Sequence, residues 1–369
     1  MTHAISVEHI RPTYRGRHEV FQIWSELVLS AVEQEQAKVV FGLIREASSL
    51  EVVRDFLRKH DVPISAANWD ELYAKRILPA LESKKIALDD LSVLLRQVEE
   101  YGKQHIFLFR CDPADAVKIL ARKRIEGIAN ELKQFGLLSI PLHLEMPDSP
   151  EVVDLRLDDA PNGSGPLSLT IKVCETRESS KLVDDNLDAN KNQRVKVYQI
   201  TKKRAISIAH LDRSGLLQIR IASRDNSTKY HEQVSAMIAT ILKYVPIGLF
   251  EQVSLSKAKD TMYYKQEDFA GIIRYTTTTA MNDYGVSMNL AAPNLSKGLS
   301  EDDGSSAAMK GFMDKKGFVT GSNIWFIMPS DASRQIHVLL SGELNEFAVT
   351  GTCTPGEYSY VIEKILSLN

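Results

Sequence analysis

Apolar residues recur every three or four positions through the first third of the chain and mostly every second position after it. Residues from about 17 to 136 therefore read as helices. Phe21, Trp24, Leu27, Val28 and Val32 form one helical stripe, and Val39, Phe41, Leu43 and Ile44 form a second. Ser49 stands before LEVVRDFLRKH, where its hydroxyl can cap the first free amides of another helix. Pro63 ends that helix, and SAANWDELYAKRILPAL begins the next. Asp90 opens LSVLLRQVEEYGKQHIFLF, in which Gly102 weakens the helix and IFLF reads as a buried strand. Pro113 and Asp115 introduce AVKILARKRIEGIANELKQFG, with Gly136 as a C-terminal stop.

The period changes near Leu137, where five prolines fall between 141 and 166. VVDLRL and LSLTIKVCE read as strands around an Asn162-Gly163-Ser164-Gly165 turn. TRESSKLVDDNLDANKNQ reads as a mobile loop or a short surface helix. AISIAHL and LLQIRIA alternate on either side of Asp212-Arg213-Ser214-Gly215, which predicts a hairpin. Pairing Leu211 with Leu216 sets Ile208 opposite Ile219 and Ile206 opposite Ile221. The other face then carries Ser207, Ala209, Gln218 and Arg220 and is wet or covers something polar. Val234, Met237, Ile238, Ile241, Leu242 and Val245 space a helix whose apolar stripe covers the isoleucine face.

IIRYTTTTAM reads as a strand because four consecutive β-branched threonines are stiff. FVTGSNIWFIMP, QIHVLLSG and EFAVTGTC read as three more, and EYSYVIEKILSL as a closing helix. The fold class is α+β: a helical N-terminal domain (1–138), a β-rich central α+β domain (139–291), a flexible linker (292–312) and a small antiparallel sheet with a C-terminal helix (313–369).

Composition narrows the class further. The chain has 369 residues, 44% hydrophobic and 25% charged, which are globular values and exclude a wholly disordered chain. A net charge of −3 excludes a global pull toward polyanions. Cys111, Cys174 and Cys353 are sparse and far apart, against a disulfide scaffold or a cysteine zinc site and in keeping with a reducing cytoplasm. The N-terminal stretch lacks a signal-peptide core, and no apolar run approaches a membrane span. A cytoplasmic protein without membrane contact and without a cofactor is expected.

Catalytic patterns fail on inspection. Asp184, Asn186 and Asp188 start a calcium-loop pattern, but Ala189 replaces the turn glycine and Val195 the bidentate acid. His210, Asp212 and Ser214 match a hydrolase triad by type alone, with two of the three in a turn made of ordinary turn residues. Glu99, Glu100, Tyr101 and His105 crowd a helix-to-strand junction, where His105 satisfies a backbone carbonyl or a polar side chain reaches a cleft. No phosphate-binding glycine loop, nucleophile elbow or zinc helix is present.

Charge is distributed unevenly. Residues 171–229 carry 13 Lys and Arg against 7 Asp and Glu, and the fourteen residues 191–204 contain no acid. On a strand, Arg194, Lys196, Tyr198 and Ile200 share one face, and Val195, Val197 and Gln199 the other. Lys191, Arg194, Lys196, Tyr198, Lys202, Lys203 and Arg204, with Arg220 and Arg224 at the edge, are the candidate nucleic-acid-binding residues. A second cluster, Arg122-Lys123-Arg124 with Lys118, is a helix face diluted by Glu126 and Glu131. The leading expectation is a non-enzymatic binding protein contacting nucleic acid or another polyanion. The alternatives are a scaffold subunit with a protein partner, which would expose an apolar patch, and a hydrolase with acids gathered across domains.

Overall fold

A computed structural model describes residues 30–140, 144–188, 193–223, 230–292, 299, 302–340 and 342–369. Phe21, Trp24, Leu27, Val28, Lys191 and Arg224 lie outside the described residues. The chain divides into two compact units, at Leu95 and Arg96. It is a mixed α+β protein, helical first and then built on a large antiparallel sheet.

In the first unit, α1 (Ala31–Ala47) starts at a capping box in which Ser30 and Glu33 exchange side-chain and backbone hydrogen bonds. Its buried stripe is Ala37, Val40, Phe41 and Ile44, while Val32 and Val39 face outward. Two of the expected stripe positions are thus displaced by the helix's true phase. α2 (Leu50–Lys59) buries Val53 and Leu57, and Ser49 stands at its N-cap without making a side-chain cap bond. After α3 (Trp69–Leu72) comes one π-helical turn, Tyr73–Ile77, and then α4 (Leu78–Glu82). Pro79 has no amide to donate and its ring crowds the preceding turn; the wider turn accommodates it. Phe41 packs its ring on Trp69 and Tyr73 at centroid distances of 5.7 and 5.2 Å. α5 (Leu88–Glu100) follows, its last turn belonging to the second unit.

The second unit is one sheet of eleven strands. They are β1 (Gln104–Arg110), β2 (Glu151–Asp159), β3 (Pro166–Asp188), β4 (Gln193–Asp212), β5 (Leu216–Ala222) and β6 (Glu251–Gln252). β7 (Ile273–Met281), β8 (Ser287–Ala291), β9 (Phe318–Met328), β10 (Asp331–Leu340) and β11 (Glu346–Val349) complete it. The order is β2-β3-β4-β5-β1-β11-β10-β9-β7-β8, with β6 beside β1. β1, which contains the IFLF stretch read as a buried strand, joins the early strands to the late ones.

On one face, α6 (Pro113–Ile119), α7 (Arg122–Glu131) and α8 (His231–Ile241) cover Phe107, Ile171, Leu211, Ile219 and Ile221. On the opposite face, α9 (Ser256–Tyr264) and α11 (Pro355–Ser367) cover Ile106, Ile324, Phe326, Val338 and Phe347. α10 (Asp303–Met313) buries Met309 and Met313 against Ala280 and Val319. This capped helix occupies much of the stretch expected to be a flexible linker; residues 293–298, 300 and 301 of that stretch lie outside the described residues.

The hairpin register differs from expectation by one residue. Leu211 pairs with Leu217, Ala209 with Ile219 and Ser207 with Ile221. The cause is the turn. Gly215 adopts φ +90° and its amide bonds to Asp212 O at 3.1 Å, a tight turn closed by a left-handed residue that takes up one extra position. α8 still covers Ile219 and Ile221. Ile206 and Ile208 face the other way, packed with Val153 and Cys174. They share that second face with Arg220, Gln218 and His210 rather than with the isoleucines.

Candidate functional site

β3 and β4 run paired from Ser168 and Asp212 to Asp188 and Gln193, far longer than their neighbours. β2 ends its pairing at Cys174 and β5 at Ser207. Beyond these, residues 177–188 and 193–203 pair only with each other among the described residues. The stretch expected to be a loop or short helix is therefore a projecting two-stranded ribbon. On β4, Val195, Val197, Ile200 and Thr201 favour the extended form, whereas β3 is mainly polar here and has Val183 as its one β-branched residue. Leu182 pairs with Tyr198, Ser180 with Ile200 and Glu178 with Lys202, so these share a face. A bulge at Val183 then resets the register to Asp184–Val197 and Asp185–Lys196.

The ribbon leaves large apolar side chains in solvent. Leu182 is 43% exposed, Val183 53%, Val195 56%, Val197 47%, Tyr198 49% and Ile200 64%. Among the described residues no core lies over either face. An isolated two-stranded ribbon is marginal in water, and a patch of this kind is what binding surfaces expose.

The acid-free basic run does not stay uncompensated, because its register sets it against the acids of β3. Both oxygens of Asp185 accept from Arg194, from Nε and Nη2, at 2.6 Å. Lys202 lies 3.2 Å from Glu178. Lys196 and Lys203 are exposed and make no ion pair among the described residues. Arg204 does not join the ribbon surface: its side chain is 3% exposed, 3.2 Å from Glu99, and it donates to Glu145 O at 2.7 Å. Arg220 is buried on the sheet. Its guanidinium lies over the Tyr358 and Tyr101 rings and donates to Gln218 Oε1 and Glu100 O. Of the nine candidates, Arg194, Lys196, Tyr198, Lys202 and Lys203 come together on the ribbon. Arg204 and Arg220 are structural, and Lys191 and Arg224 lie outside the described residues.

Arg204 marks a buried charged cluster beneath the ribbon's root. Lys172, 1% exposed, donates to Glu99 at 2.6 Å and lies 3.8 Å from Glu100. Arg156 bridges Glu100 at 2.7 Å and Asp154 at 2.9 Å. Burial pushes the Asp154 carboxyl up, against the pull of Arg156 and Lys172. One helical turn presents Glu99 and Glu100, and both reach Lys172, although adjacent helical residues point about 100° apart. Lys172 is legible only as a lone charge in LTIKVCE. A cleft of about 140 Å³ opens beside the root, lined by Glu175, Arg177, Ser207, Glu232 and Gln233 among others.

The remaining motifs resolve into structure. Asp212 Oδ1 accepts from the Ser214 amide and hydroxyl, a turn motif, while His210 Nδ1 lies 2.9 Å from Thr170 Oγ1. His210 therefore lies on the face that carries Arg220 and Gln218, with Ile206 and Ile208, and forms no triad. Burial, aided by the Arg220 guanidinium, lowers its pKa to about 4. His105 Nδ1 lies 2.5 Å from Glu346 Oε1 and its ring stacks on Tyr230, so a carboxylate takes the place of the expected carbonyl. Asn186 donates to Asp184 at 2.7 Å. No group of three potential ligands capable of holding a metal occurs among the described residues. The second basic cluster is split between two helices rather than lying on one face: Arg124 of α7 donates to Lys243 O and Tyr244 O, while Arg122 of α7 bonds Asp159 and Lys118 of α6 bonds Asp115 at the surface.

No protein-family model matches the chain, and no curated protein is significantly similar to it. No helix of the described residues is long and apolar enough to cross a membrane.

Proposed function

We propose that this is a non-enzymatic binding protein, an interaction subunit that engages a protein partner through the ribbon of residues 177–188 and 193–203. The observation that carries the reading is the run of exposed apolar side chains on a ribbon that no core supports. The cross-strand carboxylates favour a protein over nucleic acid: Asp185 and Glu178 compensate Arg194 and Lys202, and a phosphate backbone would meet those acids as well. A cytoplasmic location belongs to this reading, supported by three free, buried cysteines.

The test places a photo-crosslinking benzoylphenylalanine at position 198 of the full chain, with Tyr284, 90% exposed on a surface turn, as control. Irradiated cells should yield a protease-sensitive polypeptide adduct from position 198 and none from 284. A nuclease-sensitive adduct from 198 would establish nucleic acid as the partner instead. Equal adducts from both positions, or none from either, would refute the ribbon as the contact.

A further inference from the structure

Resting on that reading, we infer that the ribbon's partner is a second copy of this chain, the two ribbons stacked face to face about a two-fold axis parallel to their length. The face in question carries Leu182, Tyr198 and Ile200 at its centre. Its charges are segregated by strand. β3 contributes Glu178 and Asp185, and β4 contributes Arg194, Lys196 and Lys202. Rotation about an axis along the ribbon sets β3 of one copy over β4 of the other. Leu182 then meets Tyr198 of the second copy, and each acidic row meets a basic row. Rotation about the axis across the ribbon would instead set β4 over β4, cation on cation. An isologous contact needs a self-complementary surface, and this pattern supplies one for a single choice of axis.

The size of the face sets the strength. Eleven paired positions at about 3.3 Å each give a ribbon about 36 Å long, and two strands with their side chains are about 10 Å wide. Stacking would bury about 700 Å² in total, below the roughly 1,200 Å² of standard stable interfaces. The dimer is therefore reversible and concentration-dependent rather than obligate.

Sedimentation equilibrium of the full chain from about 5 to 300 µM tests it. The weight-average mass should rise from one toward two copies. The double variant Tyr198→Glu/Ile200→Glu should remain a single copy across the range, with an unchanged thermal midpoint because both side chains are exposed. A wild-type chain that stays monomeric at the highest concentration overturns the inference. So does a dimer that the double variant leaves intact, since the contact would then lie elsewhere. The crosslinker at position 198 separates this failure from failure of the broader reading. An adduct of twice the chain mass supports the second copy. An adduct to a different polypeptide, without the self-adduct, overturns the second copy and leaves the ribbon as a protein-binding element. No adduct at all refutes both.

Discussion

Replacing Lys172 by Met removes one charge from the buried cluster while keeping most of the aliphatic stem. Lys172 is 1% exposed and Glu99 5%, and their 2.6 Å contact is shielded from water. Removing one member of such a pair leaves the other charge buried and costs about 3–5 kcal/mol. Glu99 retains Arg204 at 3.2 Å, which places the expected loss near the low end, about 3 kcal/mol. For a unit running from Arg96 to Asn369, that corresponds to a fall in Tm of roughly 6 °C, at about 2 °C per kcal/mol. The chain has 3 tryptophans, and only Trp325 lies in the second unit, so a Trp24→Phe/Trp69→Phe background gives a fluorescence signal for that unit alone. Urea unfolding in this background, with Lys172→Met, Glu99→Gln and the double variant, forms a cycle. Its coupling energy should exceed about 1 kcal/mol, because the two side chains are in contact. A loss below about 1 kcal/mol for Lys172→Met, or a coupling near zero, would mean that water reaches the cluster and that the sheet's polar face is not sealed.

Three further outcomes follow from the same geometry. Gly215→Ala should destabilise by about 2 kcal/mol or more by thermal melt, since a Cβ at φ +90° would stand 2.3 Å from Cys111 O; a neutral change would show that the turn does not fix the register. Ile219→Ala and Ile208→Ala should each cost about 2–5 kcal/mol by urea unfolding, because both faces of this hairpin are buried; a surface-like cost near half a kcal/mol at Ile208 would restore a single-cored hairpin. His210 has a folded pKa of about 4 against an ordinary 6.5, so the unfolded chain binds its proton more readily between these values. Its stabilising contribution is complete above about pH 6.5 and is lost as pH falls toward 4, by at most about 3 kcal/mol. A pH series comparing wild type with His210→Gln should show that loss in the wild type and much less of it in the variant; identical slopes would assign it to other groups.

Local chemistry made much of the chain legible as sequence. Helical spacing placed Phe41 and Ile44 inside, and Pro113 and Pro355 open helices as their fixed φ and missing amide require; α7, however, ends at Glu131, with Lys133 rather than Gly136 in the left-handed conformation. The alternation of β-branched residues placed β4, β5, β7, β9, β10 and β11, because a period of two has few other uses. The spacing of Val234, Met237 and Ile241 selected the helix that covers Ile219 and Ile221. What alternation leaves open is register. A single left-handed residue, Gly215, moved the hairpin by one position and sent Ile206 and Ile208 to the opposite face. The charged run 191–204 shows the same limit. Read along the chain it contains no acid, but charge acts through space, and the register of β3 brings Asp185 and Glu178 beside it and buries Arg204 on Glu99. Lys172 gave no signal beyond a break in an apolar strand, since its partners lie seventy residues away on the last turn of a helix. Composition and periodicity determined which segments are helix and strand and which side chains seek the interior. Only the tertiary pairing of strands decided which charges meet, which are sealed from water and which apolar residues remain on a ribbon in solvent, because those depend on neighbours brought together by hydrogen-bonded register rather than by sequence order.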